Sequence, residues 1–324
     1  PGHLIFNFTN PSGIITQALR LKGFDNVYGI CDAPSGFIRG LEEILGAGPG
    51  ELEVECYGLN HLSWFKNARL RGKDVQKELL QSPEVYRTTE MRLFTPEMAR
   101  LSGGELLNEY LYFYYRRVRS LSMIQSAERP RGRMIAEINA ALEARLAELN
   151  LPEQFQEGFD LYMAAYGQRE NAYFSVESGA KREKAWVPPT LDTFLSAPDE
   201  GGYAAVALRF IRAVTEGTPC RMILSVPNNG AIHGLRDDDV VEISCDIRKD
   251  GVHPVPVGEI DEFQLQQIRR LKYFERCTIQ AILERDRDTA VKGLFLHPLV
   301  NDLELATELT EVFFQRYAEY LTQK

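Results

Sequence analysis

Four things are missing from these 324 residues, and each closes off a class of protein. No apolar run approaches the ~20 residues that a membrane-crossing helix needs. There is no excess of positive charge: 37 Lys and Arg stand against 46 Asp and Glu, a formal charge of -9, the wrong sign for a nucleic-acid surface. The five cysteines, Cys31, Cys56, Cys220, Cys245 and Cys277, form no C-x-x-C pair. An odd, dispersed set in a chain this long points to reduced thiols in a cytoplasm rather than a disulfide framework. The phosphate-cradling G-x-G-x-x-G turn is also missing. The one glycine cluster, Gly46-Ala-Gly-Pro-Gly50, follows a helical segment and precedes a strand, and Pro49 removes an amide donor, so it reads as a helix stop.

What is present has the rhythm of an α/β protein. Residues 3–9 read as a core strand and residues 14–21 as a helix, followed by a strand over 26–31 and a helix over 37–45. Such alternation predicts a parallel sheet with helical crossovers, the tail of a Rossmann-like doubly wound sheet. We divide the chain into this remnant, residues 1–50, and an α+β carboxyl-terminal domain, residues 51–324. In the second part, 51–57 alternates polar and apolar residues as a strand does. Residues 64–72 with Lys73 and Asp74 read as a hairpin, and 74–80 and 96–101 as helices. Asn108-Glu-Tyr-Leu-Tyr-Phe-Tyr-Tyr115 opens an aromatic helix, and 134–149 is an amphipathic one. The stretch 151–198 is polar and poorly periodic. A helix over 202–216, strands over 222–226 and 240–247, and long helices over 263–285 and 302–321 complete the chain.

Two soft-metal ligands stand at the carboxyl ends of apolar runs: Cys31 after the second strand and His61 in Gly58-Leu-Asn-His-Leu62. In open α/β sheets that edge is where ligands bind, so the two strand ends are expected to converge, with their reactive atoms a few ångströms apart. Two protein ligands cannot close a structural zinc site, which takes four. They make sense where substrate completes the coordination and the metal polarises its oxygens. Tyr110 stands at the start of the aromatic helix, where amide dipoles would favour a tyrosinate. Tyr112, Tyr114 and Tyr115 are assigned to packing.

Six segments, in this order, resemble glycoside hydrolase family 4: Thr9-Asn-Pro-Ser-Gly-Ile-Ile-Thr16, Gly29-Ile-Cys-Asp-Ala-Pro34, Gly58-Leu-Asn-His-Leu62, Asn108-Glu-Tyr-Leu111, Asn228-Asn-Gly-Ala-Ile232 and His297-Pro-Leu-Val300. That family comprises NAD- and manganese-dependent glycosidases related in fold to lactate and malate dehydrogenases. The resemblance implies that Cys31 and His61 hold Mn2+ or another divalent metal and that Tyr110 is the catalytic base. It places Asn10, Asp32 and Asn60 at the substrate. Arg169, in Gln168-Arg-Glu-Asn-Ala-Tyr-Phe-Ser175, becomes the contact for a sugar 6-phosphate, with a surface ion pair as the alternative. Asn228 and Asn229 either belong to the site or only shape a turn.

The implied reaction oxidises the sugar at C3, removes the C2 proton and eliminates the C1 substituent, so no carboxylate pair is needed. The implied substrate is a phosphorylated disaccharide or an aryl 6-phosphoglucoside, most closely of the 6-phospho-β-glucosidase branch, and the implied assembly is a homodimer or homotetramer. The family's main dinucleotide-binding segment would stand before Pro1. Alternatives are a 6-phospho-α-glucosidase, an inactive oligomerising module, and a 2-hydroxy acid dehydrogenase with His61 as proton acceptor. The last lacks an Asp-x-x-Arg ahead of that histidine.

Overall fold

A computed structural model describes residues 3–180, 182, 183, 185–196 and 202–322, with Gly202, Tyr203 and Thr322 described by backbone alone. The chain opens as the alternation predicts. Strand β1 (Ile5–Asn7) pairs in parallel with β2 (Val27–Gly29) across the helix Ser12–Leu21, and the helix Ala33–Leu45 follows. Gly46 ends that helix in the left-handed conformation, φ 61°, as a helix-stop glycine does.

The next strands form a separate sheet. β3 (Leu52–Leu59) and β4 (Leu62–Leu70) are antiparallel, joined by the two residues Asn60 and His61, with Leu59 opposite Leu62. β4 then turns through Arg71 and Gly72 into β5 (Lys73–Asp74), the hairpin expected from the sequence, and also pairs with β6 (Leu106–Leu107). Far along the chain, β7 (Cys220–Pro227), β8 (Val240–Arg248) and β9 (Gly251–Pro254) return to the first sheet and complete the order β1-β2-β7-β8-β9. Strands from either side of residue 50 therefore share one sheet, in which only β1 and β2 are parallel. The two sheets touch where the Cys56 amide of β3 donates to the Ser244 hydroxyl of β8, 3.0 Å. Trp64, Tyr57, Phe65, Leu59 and Leu62 are fully buried in the surrounding core.

Helices cover the remainder. Pro96–Leu101 and Glu262–Glu284 match their sequence signals to within a residue. The stretch read as poorly periodic contains a 17-residue helix, Phe155–Asn171; the end of that stretch, Ala197 and Pro198, lies outside the described residues. Its buried positions are Gly158, Met163, Ala165 and Gly167. A face made of small residues against Leu151 and Trp186 carries little of the large-apolar periodicity by which a helix is recognised. The helix expected over 302–321 breaks at Tyr317 into Leu303–Arg316 and Ala318–Thr322. No helix among the described residues is long and apolar enough to cross a membrane.

Candidate active site

The end of β2, the β3–β4 turn and the segment after β6 meet in one place. Cys31 Sγ lies 3.8 Å from His61 Nε2, within the expected few ångströms. The approach does not arise on one sheet edge as expected: Cys31 follows a strand of the five-stranded sheet and His61 a strand of the other, so two sheets converge rather than two strand ends on one edge. His61 takes φ 66°, in the left-handed region, and its imidazole stacks on the Tyr110 ring, centroids 3.7 Å apart and planes 12° apart.

A buried polar network holds the turn. Asn60 Oδ1 accepts from the Ser12 amide at 3.0 Å, and Asn60 Nδ2 donates to Glu242 Oε1 at 3.0 Å. Ser63 Oγ donates to the other Glu242 oxygen at 3.1 Å. Asn60 thus ties the turn carrying His61 to the helix Ser12–Leu21 and to β8. Burial pushes the Glu242 carboxyl up to about 7, against the pull of its two donors. Sequence reasoning gave Glu242 no role, although an acid inside the apolar run Val240-Val-Glu-Ile-Ser was a signal for one.

Burial is also the leading influence on the pair itself. It raises the Cys31 thiol, helped by the negative charges of Glu242, Asp32 and Glu109, and it lowers His61 to about 4 against the opposing charge of Asp32. A raised thiol beside a neutral imidazole is a poor nucleophile, but it is a fit receptor for a cation that displaces the thiol proton. Sulfur and nitrogen bound to one ion at ordinary bond lengths and a tetrahedral angle would stand roughly 3.6 Å apart, close to the 3.8 Å observed. Among the described residues, no group of three or more His, Cys, Asp or Glu could hold a metal alone. The pair therefore suits an ion whose remaining ligands come from a substrate.

Tyr110 does not have the environment expected of it. The helix it precedes is only five residues, Leu111–Tyr115, too short for a substantial dipole. Burial pushes its phenol up to about 12, and nearby Glu109, Cys31 and Asp32 add to the rise. The hydroxyl is 3.1 Å from that of Tyr173, which also reaches Glu109 Oε1 at 3.2 Å. Neither Tyr173 nor Glu109 was singled out from sequence, although both lie inside motifs that were. Tyr112 is buried, Tyr114 packs on His297, and Tyr115 reaches the Ser102 hydroxyl, which agrees with their assignment to packing.

The other predicted site residues lie around this centre at different depths. Asn10 is exposed, two residues before the Ser12 amide that Asn60 holds. Asp32 is exposed beside Cys31. Arg169 is exposed on the helix Phe155–Asn171 and makes no ion pair with a described residue; Tyr166, one turn earlier, lies within electrostatic reach of both Asp32 and Arg169. Asn228 shapes a turn, its side chain bonded to the Ile232 amide and carbonyl. The glycine cluster at 46–50 is a helix stop, with Gly46 capping the helix in the left-handed conformation.

The convergence of a soft ligand pair and a tyrosine at the junction of two sheets defines a candidate metal-assisted active site on an α/β scaffold. Residues 56–300 match the family model described as "Family 4 glycosyl hydrolase C-terminal domain", and the chain belongs to that family. Its relatives include the 6-phospho-beta-glucosidase BglT of Thermotoga maritima, 30% identical over 98% of this chain and 67% of that protein. A maltose-6'-phosphate glucosidase of Fusobacterium mortiferum is 23% identical over 99% of this chain and 68% of its own length. The fold matches a solved structure of the Thermotoga maritima 6-phospho-beta glucosidase with NAD and glucose-6-phosphate at a TM-score of 0.72, with 28% identity over 98% of this chain and 66% of that one. A further structure of that enzyme contains manganese. The chain spans about two thirds of the length of these relatives.

Proposed function

We propose that the protein carrying these residues hydrolyses 6-phosphoglucosides, the β-linked ones in preference, by oxidation at sugar C3, loss of the C2 proton and elimination of the C1 substituent. The observation that carries this reading is the Cys31–His61 pair, 3.8 Å apart, with the Tyr110 ring stacked on the imidazole. When bound, NAD+ would supply the hydride chemistry at C3, and a divalent metal such as Mn2+ between Cys31 and His61 would polarise the sugar oxygens. The remaining roles fall to the chain itself. Tyr110 takes the C2 proton, and Asn60 fixes the turn that presents His61. Asn10 contacts a sugar hydroxyl, Asp32 sorts substrate types beside the metal ligand, and Arg169 receives the 6-phosphate as a charge-assisted partner. The same reading expects a homodimer or homotetramer, which light scattering would establish.

The test is nitrophenol release from α- and β-linked nitrophenyl 6-phosphoglucosides, with NAD+ and Mn2+ supplied. Faster release from the β-linked compound, abolished by a chelator, is the expected outcome, and release from neither overturns the proposal. A 6-phospho-α-glucosidase is the second reading, favoured by relatives that include the maltose-6'-phosphate glucosidase; faster release from the α-linked compound would select it.

A further inference from the structure

A base that takes a proton from sugar C2 must pass its own proton on, so the partners of the Tyr110 hydroxyl decide where that proton can go. The hydroxyl does not end in solvent or in a dead wall of apolar atoms. It meets the Tyr173 hydroxyl at 3.1 Å, and Tyr173 meets Glu109 Oε1 at 3.2 Å. Glu109 is buried, and no Lys or Arg among the described residues pairs with it. Its neighbour in sequence is Tyr110 itself, but its carboxylate reaches that phenol only through Tyr173.

We propose that Glu109, acting through the Tyr173 hydroxyl, is the acceptor for the proton that Tyr110 gives up as it takes one from the sugar. This rests on the function proposed above. In the step, the C2–H bond breaks and its electron pair stays on the sugar, next to the C3 ketone. That proton forms a bond to Tyr110 Oη. The proton of Tyr110 passes to Tyr173 Oη, and that of Tyr173 passes to Glu109 Oε1. One negative charge leaves Glu109 and one appears on the sugar, so no further reactant is needed. Run backwards, the same chain returns a proton to C2. Tyr110 remains the catalytic residue; Tyr173 and Glu109 are positioning residues behind it.

The surroundings suit a transient proton store. Burial pushes Glu109 up to about 7; the charges of Glu90 and Glu242 raise it further, while its own amide and the Tyr173 hydroxyl hold it down. Arg92 and Cys31 also lie within its electrostatic reach. A proton acceptor near neutrality is well matched to a working pH near 7. Tyr173 is fixed on several sides: the Arg131 guanidinium lies 5.1 Å from its ring centre, Arg92 donates to its carbonyl at 3.3 Å, and the Phe174 ring meets it edge-on.

The experiment follows exchange of the C2 proton of nitrophenyl 6-phospho-β-glucoside with deuterated water as pH varies, with NAD+ and Mn2+ present. In the unaltered protein the exchange should rise with pH through a limb near 7. Glu109→Gln should remove the limb and slow exchange roughly a hundredfold or more, with binding of glucose 6-phosphate retained. Tyr173→Phe should do the same, and the double variant should lose little beyond either single one. Glu109→Asp should restore a limb at a reduced rate. A merely structural role would slow exchange evenly at all pH values. Without sugar or cofactor, carbon-13 resonances of the glutamate carboxyls should include three titrating near 7, one of which is absent in Glu109→Gln and displaced in Tyr173→Phe. A Glu109 carboxyl titrating near the ordinary ~4.3, or an intact limb in Glu109→Gln, overturns the relay and leaves the proposed function standing. Absence of exchange in the unaltered protein overturns both.

Discussion

The phenol of Tyr110 is pressed between an imidazole face and a buried hydroxyl, so the consequences of removing its oxygen can be separated from those of removing its ring. Tyr110→Phe keeps the 3.7 Å stack on His61 and deletes only the hydrogen bond to Tyr173, which should change stability by about 1 kcal/mol. Exchange of the C2 proton should fall about 10^2- to 10^4-fold, measured in deuterated water, while glucose 6-phosphate still binds. Near-normal exchange would remove Tyr110 from the chemistry. The ligand pair makes a second residue-level prediction. Cys31→Ser and His61→Ala should each weaken Mn2+ binding by about tenfold or more in calorimetric titration, because each deletes one of the two protein ligands proposed for the ion. Cys220→Ser, in a different part of the five-stranded sheet, should leave that binding unchanged.

At the scale of elements, the β3–β4 turn makes the site possible, and Gly58 makes the turn possible. Its φ is 134°, and a Cβ there would lie 2.3 Å from the Leu62 carbonyl oxygen and 2.8 Å from the Ser63 Cα. Backbone atoms on the partner strand cannot step aside as a flexible side chain can. Gly58→Ala should therefore destabilise the protein by about 3 kcal/mol or more, read as a lowered urea midpoint, and should weaken Mn2+ binding by displacing His61. This hairpin also shows where legibility stopped. The ends of two apolar runs marked Cys31 and His61, and glycine-bounded alternation marked the strands. Pairing partners more than 150 residues away, such as β7 beside β2, leave no local trace, so one sheet was expected where two converge. Tyr110 was legible by motif, but its environment was not: a helix of five residues looks in sequence like the start of a long one, and the Phe174 ring and Tyr173 hydroxyl that the phenol meets stand some sixty residues on.

At the scale of the whole molecule, the carboxyls and imidazoles buried between these layers should set how stability depends on pH. Burial raises Glu105, Glu109 and Glu242 to about 7, and it lowers His61 and His297 to about 4. Unfolded, the same carboxyls would ionise near ~4.3 and the imidazoles near ~6.5. Between ~4.3 and 7 the folded chain keeps three protons that the unfolded chain has released, which makes stability fall as pH rises. Between 4 and ~6.5 the unfolded chain carries two imidazole protons that the folded chain refuses, which makes stability rise with pH. The carboxyls outnumber the imidazoles by one, so a net fall remains up to ~6.5, steepening to three protons just below 7. Summed over that window, the loss is roughly 5 kcal/mol. Carboxyls lowered by partners, such as Asp246 beside Arg221, titrate below this window and do not alter it. Free of metal and NAD+, the protein should show a urea midpoint that drops between pH 5 and pH 8. Glu242→Gln removes one of the three retained protons, so whatever it does to absolute stability, the fall between pH 5 and 6.5 should flatten. A midpoint that instead climbs from pH 5 to 8 would mean that the three carboxyls are ionised in the folded protein, and that water reaches the polar network behind Asn60.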